Sequence, residues 1–181
     1  MSRITIIFLF VCSVLSAQES KKLIARQGQV SFFSYTSVEN IKAENNQVLS
    51  IIDFNNNSIA VSMLMNAFVF EKALMREHFN ESYIESDIYP TATFEGDILD
   101  FDPNSKTIQT KIIKGVFEMH GQKEELEIKV KVANNNGVFS VSGSFETLVK
   151  SYDINIPPLL AGNIAKSIEV NFKFEYEPYE N

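Results

Sequence analysis

Apolar and polar residues alternate with a period of two along most of the chain. Leu126, Ile128, Val130 and Val132 interleave with Glu125, Glu127, Lys129 and Lys131, and Val170, Phe172, Phe174 and Tyr176 interleave with Glu169, Asn171, Lys173 and Glu175. Successive side chains of a strand point to opposite faces, so this pattern predicts strands with one buried and one solvated face. Ile59, Val61, Met63 and Met65 alternate with Ser58, Ala60, Ser62 and Leu64, and Phe139, Val141, Gly143 and Phe145 alternate with Val138, Ser140, Ser142 and Ser144. The same period, less regular, runs through 30–35, 47–53, 91–101 and 106–119, with a change of phase at Ile112 and Ile113 that predicts a bulge. Turn residues separate the segments: Asn55-Asn56-Asn57, Asp102-Pro103-Asn104, His120-Gly121 and the Asn-Gly end of Asn134-Asn135-Asn136-Gly137.

About eight such strands in one chain predict an all-β, antiparallel sheet, closed into a barrel or folded as a two-sheet sandwich. A parallel α/β sheet is disfavoured, because its strands would read as continuous apolar runs separated by helices. Residues 67–79 depart from the pattern: they are rich in helix formers, and Phe70, Ala73, Leu74 and Glu77 or His78 share one stripe at helical spacing. They predict a short helix lying across an opening or along an edge. Residues 152–166, with Pro157-Pro158 and then Leu159, Leu160, Ala161 and Ile164, read as a long apolar connection with a short helical turn.

The first residues are of another kind. Arg3 precedes the apolar run from Ile4 to Leu15 and the small-residue exit Ser16-Ala17, which together form a secretory signal peptide cleaved near Ala17. An apolar run of about 12 residues is too short for a stable membrane span, which needs about 20. Leu9-Phe10-Val11-Cys12 matches a lipoprotein acylation box only loosely, since Val11 stands where a small residue belongs. Removing residues 1–17 from the 181 leaves a single domain, 18–181, of 164 residues and, with Arg3 gone, a charge of −8. It also removes Cys12, the only cysteine, so the exported domain folds without disulfides.

Composition narrows the functional classes. A net charge of −7 offers no long-range attraction to nucleic-acid phosphates or to an anionic membrane surface. Fifteen Phe and no Trp mean that aromatic core volume comes from phenyl rings. Glu77, His78 and Glu81 put an imidazole and two carboxylates within about one helical turn, which could serve acid/base chemistry, or could be a solvated helix end. With two His in the chain, a transition-metal site lacks ligands. Asp100-Phe101-Asp102-Pro103-Asn104 opens like a calcium loop, but Ser105 and Lys111 occupy the positions of its Gly and its closing Glu. Residues 115–121 have the outer spacing of a phosphate loop without its Lys-Ser/Thr, and no G-x-S-x-G elbow occurs. No catalytic residue, metal or cofactor is assigned.

What remains is apolar surface. The inward phase of the strands carries Phe32, Phe94, Phe117, Phe139, Phe145 and Phe172, and the helix adds Phe70 and Leu74. An eight-stranded barrel is either filled by its own side chains or keeps room for one small ligand. A filled barrel would make the protein a structural or protein-interaction module, and a lumen well below roughly 300 Å³ would favour that reading.

The stretch from Ala73 to Ser86, followed by Tyr89-Pro90-Thr91-Ala92-Thr93-Phe94-Glu95-Gly96, resembles the YceI-like family of exported lipid-binding proteins. Gly115-Val116-Phe117-Glu118-Met119-His120-Gly121 is similar to the family's Gly-to-Gly hairpin, and Gly143-Ser144-Phe145 to the start of its penultimate strand. The resemblance covers most of residues 27–177. It implies an antiparallel, lipocalin-like barrel with a helix near the opening, and a lumen that takes a polyisoprenoid or other acyl-like chain. On that implication the partner is a hydrophobic small molecule, no nucleic acid is bound, and the expected lining is Phe32, Phe70, Leu74, Phe94, Phe117, Phe139, Phe145 and Phe172. The oligomeric state stays open, a homodimer among the options.

Overall fold

The computed structural model describes residues 22–135, 137–158 and 161–179. The expected leader, its exit at Ala17 and Cys12 lie outside the described residues. Among those residues nine strands follow one another: β1 (Lys22–Tyr35), β2 (Asn40–Asp53), β3 (Ser58–Leu64), β4 (Val69–Phe70), β5 (Thr91–Ile98), β6 (Gln109–Met119), β7 (Gln122–Asn135), β8 (Val138–Leu148) and β9 (Ser167–Pro178), with a helix, α1 (Ala73–His78), between β4 and β5. Hydrogen-bonded neighbours run β1, β9, β8, β7, β6, β5, β3, β2, and β1 pairs again with β2, every pair antiparallel. Eight strands thus close on themselves as a barrel, which removes the open sheet edges that would otherwise invite further pairing.

Turn chemistry sets the hairpins. His120 and Gly121 both take positive φ, 53° and 73°, the mirror-image turn whose twist matches the flanking strands of a two-residue hairpin. β2 is too long for one partner: β3 pairs with its second half, and the two-residue β4 pairs Val69 with Glu44 and Phe70 with Ala43 on its first half. At the change of partner Asn45 is fully buried, its Nδ2 donating to the Leu64 carbonyl and its Oδ1 accepting from the Gln47 N–H, both at 2.9 Å. Backbone groups that the ladder abandons there are satisfied by one side chain.

Two expectations are corrected. The bulge at Ile112 and Ile113 does not occur: β6 pairs with β7 without a break from Gln109↔Val132 to Met119↔Gln122. Ile113 is buried on the inner face and Ile112 is half-buried on the outer one, so two adjacent isoleucines straddle the sheet and only imitate a phase change. The register shifts fall on β1: against β2 on either side of the Gly28↔Val48 pair, and against β9 between Ile24 and Gln29. The helix expected over 67–79 is shorter and starts later, because Val69 and Phe70 extend to pair with β2, leaving Ala73–His78 helical, followed by one wider turn over Phe79–Tyr83.

The barrel is packed at one end and hollow at the other. Toward the β2–β3, β5–β6 and β7–β8 connections, Phe54 packs on Phe101 and Phe139 with ring centroids 5.5 and 4.8 Å away. Val48, Ile52, Ile98, Val132 and Val141 are at most 2% exposed around that end. Tyr176 bridges β9 to β2, its hydroxyl 2.7 Å from that of Ser50, passing over Ala25, the small β1 residue that pairs with Ser50. Burial pushes the Tyr176 phenol well above the usual tyrosine range, against the opposing effect of the Ser50 hydrogen bond.

Candidate ligand-binding site

Between this packed floor and the opposite end lies a cavity of about 440 Å³. Its walls are the inward residues of the strands, among them Val30, Phe32, Ile59, Val61, Met63, Phe94, Ile113, Phe117, Ile128, Phe145, Val170, Phe172 and Phe174. Glycines opposite these rings make the walls possible. A Cβ on Gly115 would stand 2.7 Å from Cζ of Phe94, and one on Gly143 would stand 2.9 Å from Cζ of Phe172, so each ring lies flat across a strand at a point with no side chain. Rings laid against the wall leave the axis of the barrel free, which aromatic residues standing upright would fill.

The mouth is built from four connections: β1–β2, the segment from Met65 to Pro90, the β6–β7 turn and the β8–β9 connection. Phe68, Phe70 and Phe79 converge on Phe32 at 5.4, 5.9 and 5.5 Å, a four-ring cluster that seats β4 and the turn after α1 on the end of β1. Leu74, Met75 and His78 of α1 line the cavity beside them, and Leu74 is 59% exposed at the rim. Lys72 Nζ meets Glu39 Oε1 at 2.6 Å and ties the start of α1 to the β1–β2 loop; hydrogen bonding and charge from Glu39 hold the Lys72 pKa above its usual value.

The β8–β9 connection is pinned at two points. Ser34 Oγ, 2% exposed at the end of β1, accepts from the Ala165 N–H at 2.9 Å. Tyr152, fully buried, lines the cavity with its ring, 5.7 Å from Phe117 and nearly perpendicular to it. Its hydroxyl donates to Glu124 Oε2 at 2.8 Å and lies 2.7 Å from Thr147 Oγ1, while Thr147 and Ser151 donate to the same carboxylate at 2.9 Å. Desolvation works against the Glu124 charge, but hydrogen bonds from Tyr152, Thr147 and Ser151 outweigh it and hold the carboxyl below its ordinary value. Burial, reinforced by Glu124, raises the Tyr152 phenol. The carbonyl of Tyr152 accepts from His120 Nδ1 at 2.8 Å, and Nε2 faces Glu85 Oε2 at 3.2 Å. One residue thereby joins three of the mouth's connections.

Seven of the eight expected lining residues, Phe32, Phe70, Leu74, Phe94, Phe117, Phe145 and Phe172, surround the cavity. Phe139 does not: it points inward, as its phase requires, but at the packed end against Phe54. Glu77 and Glu81 are exposed, and among the described residues no three His, Cys, Asp or Glu side chains come together as a metal-holding group. The Tyr152 and Glu124 pairing was not anticipated, although Glu124 continues the inward phase of Leu126 and Ile128, and a carboxylate on a buried phase marks a partner to be found. Among the described residues no helix is long and apolar enough to cross a membrane.

The fold and the cavity together define a closed antiparallel barrel with an apolar lumen at one end. The chain belongs to the YceI-like domain family, whose model matches residues 22–176. Among solved structures, the chain is similar to a polyisoprenoid-binding domain from Saccharophagus degradans, implicated in plant cell wall breakdown (12% identity, TM-score 0.75, covering 89% of this chain and 100% of that one). It is similar to BcnA of Burkholderia cenocepacia (14%, TM-score 0.70, covering 83% and 96%) and to the YCEI protein of Campylobacter jejuni (13%, TM-score 0.60, covering 81% and 90%). At these identities the likeness is one of fold. No curated protein matches the sequence.

Proposed function

We propose that this protein is an exported, non-enzymatic binding protein that holds one hydrophobic chain, isoprenoid or acyl, in the hollow end of its barrel. The observation that carries the proposal is the 440 Å³ cavity walled almost wholly by apolar side chains. That volume lies within the range of ligand pockets, about 300 to 1,000 Å³, and above the bound under which a filled barrel acting as a structural module would be favoured. Each methylene transferred from water to such walls contributes about 0.8 kcal/mol, so a chain needs few polar contacts to bind. Phe32, Phe70, Leu74, Phe94, Phe117, Phe145 and Phe172 form the proposed contact surface, and the polyisoprenoid-binding domain that shares the fold supports an isoprenoid among the ligands. Export rests on the basic start, the apolar run and the small-residue exit of residues 1–17, which leave a periplasmic or secreted domain, 18–181.

Two measurements test the proposal together. The purified mature protein is extracted into organic solvent for mass spectrometry, and a fluorescent prenyl or fatty-acyl probe is titrated into the delipidated protein. A co-purified lipid and saturable one-site binding are expected; the absence of both overturns the proposal.

A further inference from the structure

Exposed apolar side chains gather at the mouth. The six most exposed large ones among the described residues are Tyr35, Val38, Val69, Leu74, Ile88 and Ile108, each at least 58% exposed. Five of them belong to the β1–β2 connection or to the segment from Met65 to Pro90, and only Ile108, just before β6, stands at the floor end. Single apolar residues scattered over a surface need no explanation, but a set gathered round one opening does. Leu74 also lines the cavity, so apolar surface continues from the lumen onto the rim. On the outer face of β1 the Tyr35 ring stacks on Phe33 at 5.8 Å, and Lys42 Nζ lies 5.5 Å from the centre of the Phe33 ring. A ring with a polar tip and a long stem that carries a charge both suit a boundary between apolar and aqueous phases.

We infer that this collar is a docking surface for a lipid bilayer of zwitterionic headgroups, against which the mouth opens so that a chain passes between bilayer and lumen without crossing water. The inference rests on the binding function proposed above, and two observations choose the partner. The first is continuity. A chain that leaves a bilayer through water exposes its methylenes on the way, so transfer is easiest where the apolar rim touches the apolar phase that holds the chain. A rim that only held a protein partner would gain nothing from running into the lumen. The second is charge. Two cations of the collar are already held by carboxylates, Lys72 by Glu39 and Lys42 by Glu44. On the segment from Met65 to Pro90 the exposed Glu71, Glu77, Glu81 and Asp87 outnumber Arg76, its one other Lys or Arg. Lys150 and Lys166 of the β8–β9 connection do not reverse the balance on a chain of net charge −7. Such a surface is repelled by anionic lipid and meets no like charge in headgroups whose net charge is zero.

The chain contains no Trp, so one introduced at a chosen point reports on that point alone. Val38→Trp and Ile108→Trp place it at the mouth and at the floor end of the mature protein. On addition of phosphatidylcholine vesicles, the Val38→Trp emission is expected to shift to the blue and that of Ile108→Trp to stay where it is; phosphatidylglycerol mixed into the vesicles is expected to weaken the shift. Val38→Ser combined with Val69→Thr is expected to lower co-flotation with phosphatidylcholine vesicles by roughly threefold to tenfold, because two exposed side chains lose apolar area. Neither residue lines the cavity, so binding of a fluorescent prenyl probe in vesicle-free solution is expected to be unchanged in that variant. The docking is overturned by an absent shift at Val38→Trp, by equal shifts at both positions, by binding that strengthens with phosphatidylglycerol, or by unchanged flotation of the double variant. Saturable probe binding in vesicle-free solution then shows that the docking alone has failed, whereas its absence overturns the binding function and the docking with it.

Discussion

Tyr152 and Glu124 meet across the mouth of the barrel, the phenol donating to Oε2 at 2.8 Å, and through this contact a residue that follows β8 is bound to the start of β7. Because the Tyr152 ring also walls the cavity and its carbonyl holds His120, the hydroxyl fixes a ring position that packing against Phe117 alone would leave free to pivot. Tyr152→Phe keeps the ring and deletes the hydrogen bond. A bond to a charged group contributes about 1.5 to 3 kcal/mol, and in a domain of this size each kcal/mol corresponds to about 2 to 4 °C in Tm. The expected outcome is a drop in Tm of roughly 5 to 10 °C with the fold retained, followed by far-ultraviolet circular dichroism; a Tm within 1 °C of the parent would remove the bond's assigned role.

The same contact carries a pH dependence. Three hydroxyls hold the Glu124 carboxyl below its ordinary value of 4.5, so folding favours the carboxylate and the associated stability is present above that value. It is lost as the pH falls from there through the lowered folded value. Glu124→Gln cannot titrate and is expected to be less stable than the parent at neutral pH, because three hydroxyls lose a charged acceptor. The stability gap between the two, measured by urea denaturation, is therefore expected to narrow from about pH 6 to pH 3. A gap that stays constant, or widens on acidification, would contradict the network's protonation state.

Most of the barrel could be read from alternation, because a strand buried on one face must keep a period of two. That is why Phe32, Phe94, Phe117, Phe145 and Phe172 all face the lumen as expected. Alternation identifies the face and not the height along the axis, so it did not distinguish Phe139 at the packed floor from Phe145 on the open wall. The first halves of β1 and β2 escaped for a related reason: the register shifts around Gly28 and Val48 move the inward phase by one residue and erase the signal. Phe70 faces the cavity from a strand and not from a helix, since helix formers on either side could not reveal that β2 had an unpaired half waiting. Tyr152 lies outside any regular strand, and its position depends on Glu124 and His120, which are distant in sequence.

Gly143 is the point where wall and lumen compete for space. Its missing Cβ leaves room for the Phe172 ring, and Cβ would fall 2.9 Å from both that ring and the Lys129 carbonyl. The Lys129 carbonyl belongs to the strand paired with Gly143, so relieving that contact takes a shift of the ladder, while the Phe172 ring must also move and the open direction is inward. Gly143→Val is expected to cost about 1 to 3 kcal/mol of stability through overpacking. It is also expected to weaken binding of a fluorescent acyl probe by tenfold or more, since the displaced ring occupies the chain's path; an unaltered titration in a folded protein would show that Phe172 yields elsewhere.

Phe117 and Phe139 are nearly matched in burial, 6% and 9% exposed, and both sit on inward phases, yet they face different halves of the barrel. Phe139 is enclosed by Phe54 and neighbouring floor residues, so Phe139→Ala opens a void in packed core, for which about 3 to 5 kcal/mol is the ordinary loss. Phe117 touches Phe145 and Tyr152 on one side and the cavity on the other, so truncating it enlarges a space that already exists and removes contacts from one face only. Its cost in stability is expected to be smaller, about 1 to 3 kcal/mol, because part of the ring never had protein partners to lose. Binding should reverse the order: Phe117→Ala strips a wall from the chain's path, whereas Phe139→Ala leaves every wall in place. Urea denaturation and probe titration on both variants check the pair. If Phe139→Ala impairs binding at least as much as Phe117→Ala does in folded protein, the division of the barrel into a packed floor and an open lumen fails.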